Sequence, residues 1–211
     1  MLQKMKRFIS SFLFCISSFY IPECSAQSGT LKSKNGFMIF YASDSLNFTL
    51  RLDNPNTEIP NWLHNNYLQL FKDQFYIQII KKDSLFRKNT DERASLYMFQ
   101  KWETDYIESS MKPSIKRSAF MSDNDSIKYN RKDLLKNAWY YSVELNPRKL
   151  YFYFYDIYKN GCYIRITFTG SLDSARGFIP VVLKGLQFYN KNIQLNKLQD
   201  ALKKGQYGYN E

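Results

Sequence analysis

Five side chains suited to binding recur at alternate positions in two neighbouring stretches, YFYFYDIY at residues 151–158 and CYIRITFT at residues 162–169. They are Tyr151, Tyr153, Tyr155, Tyr163 and Arg165. Residues two apart share one face of a β-strand, so each stretch presents its own set on one side. Phenol rings stack on sugars or hold peptides, and a guanidinium group pairs with carboxylates. We therefore take these five residues as the candidate binding site and assign none of them a catalytic role.

The loop between the two stretches reads KNG, which predicts a hairpin whose register decides which aromatic rings are buried. A loop of residues 159–161 places Phe154 opposite Ile166 and lines a polar face with the tyrosines. A loop of residues 160–161 places Tyr155 opposite Ile166 instead and turns the tyrosines to the core. We expect the longer loop, because it groups apolar side chains together. We also expect a helix or loop to cover the tyrosine face, the alternative being an open binding surface.

The sequence contains few residues that could act in nucleophilic catalysis. His64 is the single histidine, so every serine or cysteine arrangement with an imidazole base would have to include it. It stands in a polar segment and is expected at the surface of a helix. Cys162 lies inside a predicted strand and is expected to be a buried, unreactive thiol. A nucleophile is therefore not predicted.

The sequence also offers few candidate residues for metal binding or for acid catalysis. Zinc sites need several cysteine, histidine or acidic ligands, which one mature cysteine and one histidine do not provide. The stretch from Asp123 resembles the start of a calcium loop, but Lys128 and Leu134 replace its glycine and its closing glutamate. A solvated helix face, rather than a catalytic pair, is expected for Glu103, Asp105 and Glu108. No metal, cofactor or catalytic residue is predicted.

The first 26 residues have the pattern of a secretory signal peptide. Basic residues precede an apolar run from Phe8 to Ile21, which is shorter than a membrane-spanning helix. Cys24 and Ala26 are small residues at the two positions that signal peptidase requires, so cleavage is expected after Ala26. A lipidated Cys24 is the alternative. The mature chain is expected in the periplasm or outside the cell, without a transmembrane helix and with Cys162 as its one cysteine.

The chain is basic, with 30 lysines and arginines against 19 acids and a formal net charge of +11. Removing the signal peptide leaves the mature chain basic. Export makes anionic lipid headgroups, acidic polysaccharide or an acidic envelope protein the expected partners, and nucleic acid is not expected. A lysine-rich, solvated surface without a specific patch is the simpler interpretation.

Hydrophobic patterning divides the mature chain into a polar linker at residues 27–34, one α+β domain at residues 35–189 and a C-terminal helix and tail at residues 190–211. The predicted strands cover residues 36–42, 47–53, 74–80 and three successive stretches from 137 to 169. The predicted helices run from Pro60 to Phe71, from a Thr90 cap to Pro113, from Ser174 to about Gly185, and from Ile193 to Lys204.

Three of these segments together resemble the PsbP-like family over residues 35–189: the hairpin GFMIFYASDSLNFTLRL, the aromatic stretch YFYFYDIYKNGCYIRITFTG and the helix ARGFIPVVLKGLQF. Similar positions run from Gly161 through Ile166 to Phe178 and Phe188. The resemblance implies an antiparallel sheet between helices, as an α/β/α sandwich. Members of that family are mostly non-catalytic binding and assembly factors, often exported. A polar insert at residues 114–132 and the C-terminal helix depart from the family pattern.

Three hypotheses about function follow. The first is an exported accessory or assembly factor that binds an envelope partner. The second is a hydrolase or binder of acidic polysaccharide, in which tyrosines stack on sugars while Arg51 or Arg165 pairs with their carboxylates. The third is attachment to a membrane surface, with Leu195, Leu198 and Leu202 of the C-terminal helix facing lipid.

Overall fold

A computed structural model describes residues 26–33, 36–53, 59–64, 66–70, 74–81, 91–112, 115–125, 134–145, 147–191 and 193–204. Within them the chain forms two antiparallel sheets and three helices, which confirms the predicted α+β class with an antiparallel sheet flanked by helices. The predicted signal peptide, apart from Ala26, lies outside the described residues. No helix in the described part of the chain is long and apolar enough to cross a membrane.

The strands divide into a small and a large sheet. The small sheet has the order β1 (Gln27–Ser33), β2 (Gly36–Ala42), β3 (Asn47–Leu52) and β11 (Leu186–Tyr189). The large sheet has the order β4 (Asn61–His64), β5 (Tyr67–Leu70), β6 (Phe75–Lys81), β10 (Cys162–Gly170), β9 (Arg148–Lys159), β8 (Leu135–Leu145) and β7 (Met121–Ser122). The two sheets meet at one corner, where Thr30 Oγ1 of β1 donates to the carbonyl of Pro60 before β4, at 3.4 Å.

The helices are α1 (Glu92–Ser110), α2 (Leu172–Gly185) and α3 (Leu195–Lys203), and all three were predicted from the sequence. Asp91 caps α1 by accepting from the backbone N–H groups of Arg93 and Ala94, in place of the predicted Thr90, which lies outside the described residues. Ser171 caps α2 in the same way, by accepting from Ser174 N. Helix α2 ends at Gly185, where an added Cβ would lie 2.1 Å from the carbonyl oxygen of Arg51 in β3.

The elements stack in layers. Helix α1 covers one face of the large sheet, through residues such as Phe99 and Ile107. The other face shares one apolar core with α2 and with the inner face of the small sheet. Helix α3 covers the outer face of the small sheet, where Leu198 is fully buried against Met38 and Phe40. Because Leu198 points into the protein, α3 does not present the lipid-facing stripe that the membrane hypothesis requires.

Two predicted segments take other structures. Instead of a helix from Pro60 to Phe71, the described residues form the β4–β5 hairpin, because Leu68 and Leu70 alternate into the core while β5 pairs with β6. Alternation at period two thus prevails over a weak helical spacing. Instead of a linker, Gln27–Ser33 forms β1 and pairs along its whole length with β2.

The described part of the predicted polar insert lies along the outer edge of β8. Met121 and Ser122 form β7, and an isolated bridge joins Arg117 to Val143. Ser118 N donates to the carbonyl of Ser142 at 2.9 Å, so the segment satisfies backbone groups of a strand that would otherwise be an exposed edge.

The β9–β10 hairpin has the shorter of the two loops considered from the sequence, and the expectation of the longer loop was wrong. Asn160 and Gly161 have φ values of 50° and 76°, so both lie in the left-handed region that a two-residue hairpin turn needs. Tyr155 consequently lies opposite Ile166, as the alternative register required. The Asn-Gly pair fits this turn without strain, and that local preference outweighs the grouping of apolar side chains.

Candidate functional site

The register separates the five predicted binding residues onto two faces of the large sheet. Tyr153 and Tyr155 point into the core shared with α2 and are 0% and 1% exposed. Tyr163 and Arg165 point the other way, beneath α1, and are 0% and 2% exposed. Tyr151, near the start of β9, is partly exposed and is the one member of the set that reaches the surface. The five residues therefore do not form a common binding face.

Arg165 is the centre of a buried ionic cluster. Its Nε donates to Asp156 Oδ1 at 2.7 Å and its Nη2 donates to Asp156 Oδ2 at 3.2 Å, across the β9–β10 hairpin. Trp139 Nε1 of β8 donates to the same carboxylate at 2.9 Å. On the opposite side, Arg165 Nη1 lies 2.7 Å from Glu103 Oε2 of α1. The cluster thus ties three strands of the sheet to the helix that covers them.

Aromatic rings enclose this cation. The guanidinium carbon of Arg165 lies 4.2 Å from the ring centre of Phe99 and 5.3 Å from that of Phe154. Phe99 stacks on Tyr163 with ring centres 4.3 Å apart. Burial on its own would lower the pKa of Arg165, but the charges of Asp156 and Glu103 raise it above its ordinary value. Arg165 therefore stays charged, and it holds the core together instead of facing a ligand.

The environment of Glu103 was predicted wrongly from the sequence. It was expected on a solvated helix face, yet its side chain is fully buried. The buried stripe of α1 consists of Ser95, Leu96, Phe99, Glu103 and Ile107. Positions 96, 99, 103 and 107 follow helical spacing, so a carboxylate inside an apolar stripe was a signal that a cation lies beneath it.

A small cavity lies beside Glu103 and Arg165. Its other lining residues are Tyr67, Tyr76, Gln78, Phe154 and Thr167. The cavity leaves a volume of about 10 Å³ for the centre of a water molecule, so it has room for one water. A water suits the chemistry, because it donates to a carboxylate and accepts from a guanidinium N–H. A sugar, a peptide side chain or an organic cofactor does not fit.

The surface around Tyr151 is different in character. Tyr151 lies opposite Ser142 of β8 and Gly170 of β10, so small neighbours flank its ring on both sides. On the same face, Tyr140 lies two residues before Ser142 in β8, with its ring centre 6.1 Å from that of Tyr151. Lys149 places its ammonium group 5.7 Å from the centre of the Tyr151 ring. Two partly exposed rings and a lysine thus share this part of the sheet.

A second ion pair borders this surface. Arg176 of α2 donates from Nε to Asp123 Oδ2 at 2.9 Å, and its side chain is 34% exposed while that of Asp123 is 3% exposed. The hydrogen bond to Asp123 raises the pKa of Arg176. Burial, followed by the nearby charge of Asp123, raises the pKa of Tyr153 beneath. This pair anchors the start of α2 to the chain after β7.

The remaining candidate residues from the sequence are His64, Cys162 and Arg51. His64 is exposed on β4, and Cys162 is buried, with its Sγ 3.6 Å from the hydroxyl of Ser45. Arg51 forms an ion pair with Asp53. In the described ranges no group of three or more histidine, cysteine or acidic side chains is placed to hold a metal ion. No protein-family model and no curated protein matches the chain.

Proposed function

We propose that the chain is an exported, non-catalytic binding or accessory domain that contacts an acidic partner in the bacterial envelope through its basic surface. The observation that carries the proposal is the placement of charge. Glu103, Asp123 and Asp156 are buried, and Arg165 and Arg176 pair with them, so these five side chains largely neutralise one another within the fold. The formal excess of +11 is therefore carried by the other charged side chains.

Two further points support the proposal. The predicted signal peptide directs the chain to a compartment where acidic proteins, polysaccharides and lipid headgroups are available. The resemblance of residues 35–189 to PsbP-like domains implies the same kind of role, since that family consists mostly of binding and assembly factors. Neither point identifies the partner.

The test is a pull-down from detergent-solubilised envelope with the chain from Gln27 to Glu211, at low and at raised salt. A protein partner that is retained at low salt and weakened at raised salt is the expected result, because screening reduces contacts between exposed charges. Hydrolysis of an envelope substrate that is abolished by replacing a single acid would contradict a non-catalytic role.

Acidic polysaccharide is the second candidate for the anionic partner. Tyr151 and Lys149 are the observation in its favour, since a partly exposed ring beside an ammonium group is a suitable contact for a sugar acid. Retention of polysaccharide without protein in the same pull-down would favour this candidate.

A further inference from the structure

The end of the large sheet at the β8–β9 turn combines an apolar centre with basic residues. Met121 of β7 lies directly opposite Tyr140 of β8, so the two side chains share one face, and Met121 is 48% exposed. Tyr151 lies beside Tyr140 on that face. We call Met121, Tyr140, Tyr151 and Lys149 the Tyr140–Tyr151 surface. Tyrosine and methionine are enriched in protein interfaces, and exposed methionine adapts to varied partners.

Lysines lie on both sides of Glu144, which is two residues beyond Ser142 in β8. Lys149 lies opposite Glu144 across the β8–β9 ladder, and Glu144 N donates to the carbonyl of Lys116 at 3.1 Å. Lys116 and Lys149 therefore flank the single acid of this row. At the same end of the sheet Arg117 pairs with Glu108 at 3.1 Å, and the other basic residues outnumber the acids: they are Lys112, Lys116, Arg148 and Lys149 against Glu144. The potential at this end is positive.

The geometry of the rings distinguishes between the possible acidic partners. The planes of Tyr140 and Tyr151 are inclined by 56°, so the two rings form a corner and not one flat platform. Lys149 already lies over the ring of Tyr151. A sugar ring stacks on an open, flat aromatic face, whereas an inserted side chain fits a corner that is lined by two rings and a methionine.

We propose that the Tyr140–Tyr151 surface binds an acidic polypeptide segment that carries an aromatic or apolar side chain. The side chain occupies the corner between Met121, Tyr140 and Tyr151, while flanking carboxylates pair with Lys149 and Lys116. This inference rests on the proposed function, because it names the surface and the chemical class of the acidic partner. Contacts of both kinds are needed together, since exposed ion pairs alone contribute little affinity.

The experiment compares four probes by titration against the purified protein: a random copolymer of glutamate and tyrosine, polyglutamate, alginate, and vesicles with anionic headgroups. The expected result is that the copolymer binds more tightly than polyglutamate, because only the copolymer can fill the apolar corner. Tighter binding of alginate or of the vesicles than of the copolymer overturns the proposal.

Two double variants locate the contact. Met121→Ser with Lys149→Gln changes the surface at side chains that are largely exposed, and weakens copolymer binding at least about tenfold. The matched control, Tyr97→Ser with Lys101→Gln, removes an exposed aromatic ring and a lysine from α1 and leaves binding unchanged. Thermal melting confirms that both variants fold.

The outcomes separate the inference from the proposed function. Copolymer binding that is equal in the Met121–Lys149 variant and in the wild type places the contact elsewhere and overturns the inference, while the proposed function stands. A wild-type protein that binds none of the four anionic probes at low salt overturns both.

Discussion

Two arginine–aspartate ion pairs brace the large sheet from opposite sides, and they differ mainly in burial. The side chains of Arg165 and Asp156 are 2% and 0% exposed beneath α1, whereas those of Arg176 and Asp123 are 34% and 3% exposed beside α2. The first pair is enclosed by aromatic rings and by Glu103. The second borders the Tyr140–Tyr151 surface. Similar ion pairs therefore stabilise the buried core in one place and border the proposed contact surface in the other.

The largest effect is expected from Arg165→Met. Removing the cation leaves Asp156 and Glu103 buried without their counter-charge, which should lower the free energy of unfolding by about 3–5 kcal/mol. Urea denaturation measures this change. Adding Glu103→Gln to Arg165→Met should recover part of the loss, because one stranded charge is removed. A double variant that recovers nothing would show that lost packing, and not stranded charge, causes the instability.

An intermediate effect is expected at alkaline pH on the same side of the sheet. Burial raises the pKa of Tyr163 from 10.0 to about 12, and its hydroxyl donates to the carbonyl of Ser95 at 3.2 Å, which requires the protonated phenol. A raised folded-state pKa means that the stabilisation is fully present below pH 10 and is lost as the pH rises towards about 12.

Denaturation curves at several pH values between neutrality and pH 12 test this expectation. Tyr163→Phe should reduce the loss of stability between pH 10 and 12 relative to the wild type. An identical pH profile in the two proteins would mean that Tyr163 is not the group whose ionisation is linked to unfolding.

A smaller effect is expected from Arg176→Met. The guanidinium group is partly exposed, so water already screens the pair, yet the buried carboxylate of Asp123 loses a charged hydrogen bond. The free energy of unfolding should fall by about 1–2 kcal/mol in urea denaturation. A loss as large as that of Arg165→Met would remove the distinction drawn between the two pairs.

The smallest effect is expected at a fully exposed pair on α1. Lys101 and Asp105 lie one helical turn apart, with side chains 61% and 59% exposed. Lys101→Met should leave the melting temperature unchanged within error, since such pairs are screened and mobile. A clear destabilisation would show that surface charge contributes more to this fold than burial indicates.

The sequence predicts much of the fold where a local signal is strong. Periodicity and caps give α1, α2 and α3, and alternation gives β2, β3 and the three aromatic strands. The β4–β5 hairpin was missed, because aromatic residues from Trp62 to Tyr67 also satisfy helical spacing and only pairing with β6 decides between the two. Strand β1 was missed for a related reason: its polar sequence becomes a strand only by pairing with β2.

The site was harder to predict because it depends on contacts that are distant along the chain. Residues of the Asn160-Gly161 turn fix the register, and this register alone brings Asp156 opposite Arg165. Glu103 joins them from a helix more than 50 residues earlier, which no local pattern of acids and bases reveals. The structure places Arg165 and Tyr151, which the candidate set had joined on one face, on opposite faces of the sheet.

Hydroxyl-radical footprinting of tyrosines, read by mass spectrometry, tests the central claim that Tyr153, Tyr155 and Tyr163 lie in the core whereas Tyr151 reaches the surface. Tyr97, which is 65% exposed, should be modified fastest, and Tyr151 should be modified at an intermediate rate. Tyr153, Tyr155 and Tyr163 should be protected until the protein unfolds. Modification of Tyr153 and Tyr155 in the folded protein at the rate of Tyr97 would contradict the claim and restore the open tyrosine face.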